Sequence, residues 1–327
     1  MLISKKDTFF IAGHKGMVGQ SVCRVLKKNG FKNILTISRK ELDLRDFVAV
    51  SNWFKVNNPN IVILSAAKVG GIQANIENPT DFLLDNLKIQ NNVIESAWRN
   101  NTRRLLFLGS SCIYPKFAKQ PINEEQLLND LLEPTNECYA LAKIVGIKLC
   151  ESLRKQHNFD AISMMPSNLY GPGDNYHPVN SHVLAAFIRK IHEAKINHEK
   201  SVTFWGSGKP FREFMHVDDL SDAILFSLKF WDPSSKDAPV DNEGNPLLYL
   251  NVGYGEDIQI RDLANMISSE MDYKGKILWD TKKKDGTPRK LLNIYRIKKL
   301  GWEPKIPLSE GIKDSIASFK EMYNLRN

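Results

Sequence analysis

Residues 61–67 read IVILSAA, apolar throughout apart from one serine. A strand with one solvated face would alternate polar and apolar side chains, so an uninterrupted run belongs to a parallel strand covered on both faces. Parallel strands need long crossover connections, and the chain supplies them. Short apolar runs at Thr8–Ala12, Asn33–Ile37, Ile61–Ser65, Arg104–Leu108 and Ala161–Met165 are separated by long connections that carry helical patterns at Val18–Asn29, Asn86–Asn100 and Tyr139–His157. This alternation is that of βαβ units and implies an α/β fold on a doubly wound parallel sheet. After about residue 166 the pattern loses its regularity, with Pro-, Gly- and Asn-rich loops at 166–180 and 231–246. The 327 residues suit two domains at roughly 150 residues each. The sequence therefore implies a nucleotide-binding (Rossmann) domain over 1–166, to which a segment near 205–252 returns. Residues 167–327 would mainly form a smaller, mixed α/β substrate domain.

Composition narrows the function class. Apolar residues at 42% and charged residues at 25% fit a globular chain and exclude a coiled coil, a collagen-like fibre and a disordered chain. No stretch reaches the ~18–20 apolar residues of a membrane helix, so no membrane association is expected. The first apolar run stops at Gly13, too short for a secretion signal. Cys23, Cys112, Cys138 and Cys150 show neither C-x-x-C nor zinc spacing, so reduced thiols, a cytoplasmic location and no metal are expected. The net charge is +8, but between Met271 and Lys305 eleven Lys or Arg stand against four Asp or Glu. Nearly all of the excess lies in that one segment, which fits a phosphorylated small molecule better than a nucleic acid.

Residues 13–19, GHKGMVG, place Gly13, Gly16 and Gly19 directly after the first strand and at the start of a helix. Such glycines permit a tight turn and close approach to a pyrophosphate, with the N–H groups of the loop, Lys15, Met17 and Val18 around it. NAD sites usually carry an acid about 20 residues further on, to bond the ribose 2′-hydroxyl. Here that position is Arg39, whose guanidinium suits a 2′-phosphate, and Lys15 could add a second cation. The cofactor indicated is NADP(H).

Tyr139 and Lys143, in YALAK, stand at i and i+4 and share a helix face. A nearby ammonium stabilises a phenolate, which makes tyrosine useful as an acid–base group. Ser110 follows the fourth strand, at the carboxyl edge where doubly wound folds bind ligands.

Glycine loop, post-strand serine and YxxxK together resemble the extended short-chain dehydrogenase/reductase family. Within it the chain is most similar to the GDP-L-fucose synthase type, the GDP-4-keto-6-deoxy-mannose 3,5-epimerase-4-reductases. AAKVGGIQAN (66–75), FLGSSCIYPK (107–116), LEPTNECYALAK (132–143), NLYGPGDNYHPVNSHV (168–183), WGSGKPFREFMHVDDL (205–220) and DGTPRKLLN (285–293) carry that resemblance over almost the whole chain. It implies that Ser110, Tyr139 and Lys143, the last also a cofactor contact, serve reduction at C4 of a GDP-linked 4-keto sugar. It implies further that Cys112 and His182 are the epimerising acid–base pair, with His177 off the motif. Lys190 and Arg212 fall at family positions for the diphosphate, with Arg289 and Lys290 as additional cations and Trp205 near the nucleotide. Asn293 departs from the family's usual Asp. Relatives of this type are commonly homodimers, and that state is expected here.

The resemblance leaves alternatives open. One is a dedicated 4-reductase that does not epimerise and acts on a GDP-4-keto-6-deoxy-heptose. A remote one is a non-catalytic NADP(H)-sensing binding protein, for which the Ser, Tyr and Lys set would be unnecessary.

Overall fold

The computed structural model describes residues 1–283 and 285–324. Its first half runs β1 (Phe9–Ala12), α1 (Met17–Lys28), β2 (Ile34–Leu35), α2 (Phe47–Asn57), β3 (Ile61–Leu64), α3 (Ile72–Glu77), α4 (Pro79–Arg99), β4 (Arg104–Leu108), α5 (Glu137–His157) and β5 (Ala161–Pro166). The second half continues with β6 (Asn168–Tyr170), α6 (Val183–Ile196), β7 (Ser201–Trp205), β8 (Phe211–His216), α7 (Val217–Phe230) and β9 (Tyr249–Val252). It closes with β10 (Asp257–Gln259), α8 (Ile260–Glu270), β11 (Lys276–Asp280), β12 (Arg289–Lys290), α9 (Tyr295–Lys299) and α10 (Leu308–Asn324).

Six strands form one wholly parallel sheet in the order β2-β1-β3-β4-β5-β9. Every residue of β1, β3, β4 and β5 is buried, as helices on both faces require. The strand order reverses at β1 and β3, so the crevice for a ligand opens at their carboxyl ends. Around β8 a second, mixed sheet gathers β10 (antiparallel), β12 and β6 (both parallel), while β7 and β11 form a separate parallel pair.

Two apolar cores follow from this arrangement. The first surrounds the parallel sheet and draws in α7, β9 and the late residues Leu292, Ile294, Ile297 and Trp302. The second lies between α6, α8 and α10, around Phe187, Ile188, Phe204, Leu263 and Phe319.

Local chemistry explains where elements start and stop. Asp46 caps α2 by accepting the Ala49 N–H at 3.0 Å. The sequence reading starts the fourth helix at Asn86, whereas α4 begins at Pro79, which tolerates the first helical position because its missing N–H has no partner there. Asn86 is not an end but an interior anchor, bonded to both main-chain groups of Lys68. The expected strand at 33–37 shrinks to two residues, since β2 is an edge with a single neighbour. No helix of the described residues is long and apolar enough to cross a membrane.

Helix α5 crosses β4 closely enough that a Cβ on Gly146 would lie 2.5 Å from the Phe107 ring. Helix propensity alone favours alanine over glycine by about 0.5–1 kcal/mol. Overpacking a core costs about 1–3 kcal/mol, and Phe107, at 0% exposure, has nowhere to retreat. Gly146→Ala should therefore lower the urea midpoint of unfolding, and an unchanged or raised midpoint would show that the helix can lift off the sheet without cost.

Candidate active site

Gly13 follows β1 with φ +96°, a conformation that glycine adopts readily, and a Cβ there would lie 2.7 Å from the Ala66 nitrogen beyond β3. Gly19, in the first turns of α1, faces the Gly13 carbonyl so closely that any side chain would collide with it. The Gly16 N–H bonds to the Gly13 oxygen at 3.0 Å, and no side chain caps α1. The loop through Lys15, Met17 and Val18 thus leaves an uncapped helix start and a cradle that side chains would fill, the features a pyrophosphate needs. Lys15, within the loop, and Arg39, after β2, are both exposed. Sequence reasoning missed Glu41, which accepts from the Ser38 N–H (3.1 Å) and hydroxyl (2.6 Å) and so fixes the turn holding Arg39. Those two Ser38 bonds hold its carboxyl below the usual range, with Lys15 and His14 adding to the effect.

At the end of β4, Ser110 caps a short 3₁₀ turn, its hydroxyl accepting the Cys112 N–H at 3.2 Å. Tyr139 and Lys143 reach the same strand end from α5. Lys143 is only 3% exposed, and its ammonium donates to the Leu108 carbonyl at 2.8 Å, above the Phe107 and Tyr139 rings. Burial pushes its pKa down to about 7. With three donors and, among the described residues, one acceptor, it has capacity for the hydroxyls of a bound ribose. Burial pushes the Tyr139 phenol up, the Cys112 thiol adds to this, and a hydrogen bond with Ser110 opposes both.

Cys112 is partly exposed, and the Lys290 ammonium lies 3.7 Å from its sulfur. Arg212 pairs with Lys290 across β8 and β12 and feels the Cys112 charge, while burial lowers its pKa. A positive environment thus surrounds the thiol, built from residues 178 positions apart in the chain. His182 occupies the start of α6, yet its ring makes no capping bond, and burial pushes the imidazole down although the residue stays exposed overall. Its neighbour Ser181 abuts Gly71, while Gly70 abuts Phe82, whose ring meets Tyr139 edge-on. His177 instead accepts the Val179 and Asn180 N–H groups and stabilises its own turn.

The cations read from the sequence have different surroundings. Lys190 is half-buried and bonds the Thr203 carbonyl at 3.3 Å. Trp205 is 59% exposed with Lys283 over its ring, and the turn after it is clasped by Asp285, which accepts from the Ser207 N–H and hydroxyl. Arg289 makes a two-bond pair with Asp257, at 2.6 and 3.1 Å, so a diphosphate would have to share it. Arg296 is held by Glu124 and Glu125, and Lys284 lies outside the described residues. Asn293 bonds Asn123 and accepts the Tyr295 N–H, a turn that opens α9. No cluster of three or more His, Cys, Asp or Glu able to hold a metal occurs among the described residues.

Comparison with known proteins matches the sequence and the fold to one family. Residues 9–238 fit the model of the NAD dependent epimerase/dehydratase family. The chain is 49% identical over 311 residues to GDP-L-fucose synthase 1 of Arabidopsis thaliana, covering 95% of this chain and 92% of that one. A GDP-6-OMe-4-keto-L-xylo-heptose reductase from Campylobacter jejuni superposes with TM-score 0.90 at 35% identity, covering 99% of both chains. A GDP-mannoheptose C4 reductase of Campylobacter jejuni, solved with NADP bound, superposes with TM-score 0.87 at 36% identity, covering 97% of this chain and 99% of that one. With a parallel sheet, a glycine cradle and a Ser, Tyr and Lys set at one strand edge, the chain belongs to the NAD dependent epimerase/dehydratase family and, within it, to the GDP-L-fucose synthase group.

Proposed function

We propose that the protein is an NADPH-dependent C4 reductase of a GDP-linked 4-keto-6-deoxy sugar that also epimerises C3 and C5, making an activated deoxy sugar for cell-surface glycans. The observation that carries this reading is the meeting of two acid–base sets at one strand edge: Ser110, Tyr139 and Lys143, and the cation-flanked Cys112. The core around the parallel sheet would hold the cofactor, through Gly13, Gly16, Gly19, Lys15 and Arg39, and the second core would carry the sugar nucleotide. A homodimer in the cytoplasm completes the proposal. Leu84 on α4 and Leu141 and Val145 on α5 are exposed apolar side chains on two helices that pack together, which supports an α4/α5 interface.

A 4-keto group acidifies the C–H bonds at C3 and C5, because either carbanion delocalises into the carbonyl. Cys112 removes that proton as a thiolate, with the Lys290 charge alongside, and His182 returns one to the opposite face. Burial pushes its imidazole down from the ordinary histidine range. Bound NADPH supplies the hydride for C4. Tyr139, which burial keeps protonated, gives its proton to the forming alkoxide while Ser110 bonds the same oxygen. Lys143 steadies the resulting phenolate.

Three measurements test this reading. For the cofactor, Arg39→Ala should narrow the preference for NADPH over NADH in equilibrium binding by about 1.5–3 kcal/mol, the worth of a hydrogen bond to a charged group; undiminished discrimination would remove Arg39 from the site. In the reduction step, Tyr139→Phe should keep NADPH affinity and lose roughly 10²- to 10⁴-fold in turnover, the contribution of a positioned acid–base group. Near-normal turnover would take the proton from another donor. The epimerase half is read in D₂O without NADPH: wild type should exchange C3 and C5 protons of the keto sugar, and Cys112→Ser should not, while still reducing a substrate already epimerised. Absence of exchange in wild type, with brisk reduction of the pre-epimerised substrate, would make the protein a dedicated 4-reductase.

A further inference from the structure

Side chains alternate along β8, so Arg212 and Glu213 leave the strand in opposite directions. Glu213 is 0% exposed, and among the described residues its carboxylate bonds to no cation. One oxygen accepts the Gly255 N–H at 2.7 Å and the other the Leu292 N–H at 3.0 Å. Gly253 gives it room, since any Cβ there would collide with the carboxylate. Burial without a cation pushes this carboxyl up to about 7, which marks an expensive position for an acid. The position also has a consequence for the neighbouring strand. β12 ends at Lys290, so the Leu292 N–H lies past the ladder and depends on Glu213 for an acceptor. On the other side the Leu291 N–H is taken by the Gln120 side chain at 2.8 Å. Two buried or half-buried side chains thus pin the backbone on which Lys290 reaches to within 3.7 Å of the Cys112 sulfur.

We propose that Glu213 is a positioning residue that holds the Lys290 strand against Cys112 and so sets the reactivity of that thiol, and with it proton abstraction beside the keto carbon, while leaving reduction at C4 untouched. The part about abstraction rests on the reading of Cys112 as the epimerising base; the part about thiol reactivity does not.

Glu213→Gln keeps the volume but turns one acceptor into a donor facing an N–H. Alkylation of Cys112 by iodoacetamide, followed on its peptide by mass spectrometry, reads the thiol directly. It is run beside deuterium exchange at C3 and C5 and reduction of a pre-epimerised substrate. Glu213→Gln should slow alkylation and exchange by about tenfold or more, as Lys290→Gln should, with the double variant no slower than either single one, and Glu213→Gln alone should keep reduction within roughly threefold of wild type. Gly253→Ala, which displaces the same carboxylate while keeping its charge, should reproduce the pattern and serves if Glu213→Gln does not fold. Wild-type alkylation rates in both variants would overturn the assignment. So would effects of Glu213→Gln and Lys290→Gln that multiply, or a loss of reduction as large as the loss of exchange. Slowed alkylation in a protein whose wild type shows no exchange would leave Glu213 in place and overturn the epimerase reading instead.

Discussion

An ammonium group almost wholly removed from water, bonded to the last carbonyl of β4, ties the helix that carries the phenol to the strand that carries the serine and the thiol. Charge in such a place is costly, and the burial that lowers the Lys143 pKa to about 7 makes the sign of its effect clear. Between pH 7 and the ordinary lysine range the unfolded chain binds more protons than the folded one, so the contribution of this group to stability rises with pH across that window. Below pH 7 the folded protein carries the full penalty of a buried charge. The large apolar core around the parallel sheet must offset that penalty, and the return is a cation fixed within reach of Tyr139.

Much of this could be read from the chain because it is local. The buried parallel strands announce themselves as continuous apolar runs, the glycine loop by its place after one of them, and Tyr139 and Lys143 by a four-residue spacing that only a helix turns into proximity. What escaped the sequence is what distant segments create together. The start of α4 was hidden because Asn86, polar and mid-helix, is used as a buried anchor for the Lys68 backbone. The mixed sheet is assembled from strands near 168, 211, 257 and 289, and no periodicity links them. The contact between Lys290 and Cys112 spans 178 residues, so the residue types could be named but their meeting could not.

Charge shows the same limit. The late segment holds nearly all of the net +8, yet Arg289 pairs with Asp257, Arg296 with Glu124 and Glu125, and Lys305 with Asp222. Counting residues along the chain treats such acids as remote, although folding brings them into contact. Among the described residues, the cations turned toward Cys112 are fewer than the sequence excess and come from two strands, Arg212 on β8 and Lys290 on β12. Their field is local and directional where the sequence shows only a diffuse patch.

The clasp between Asp285 and Ser207 joins the turn after Trp205 to the stretch that leads into β12. On the proposed reading, a nucleotide resting on the exposed indole would also order the backbone running on to Lys290. Binding energy collected far from the reacting carbon would in this way be converted into alignment at it. A sugar stripped of its nucleotide would forfeit rate as well as affinity, because the part that never reacts helps to assemble the part that does.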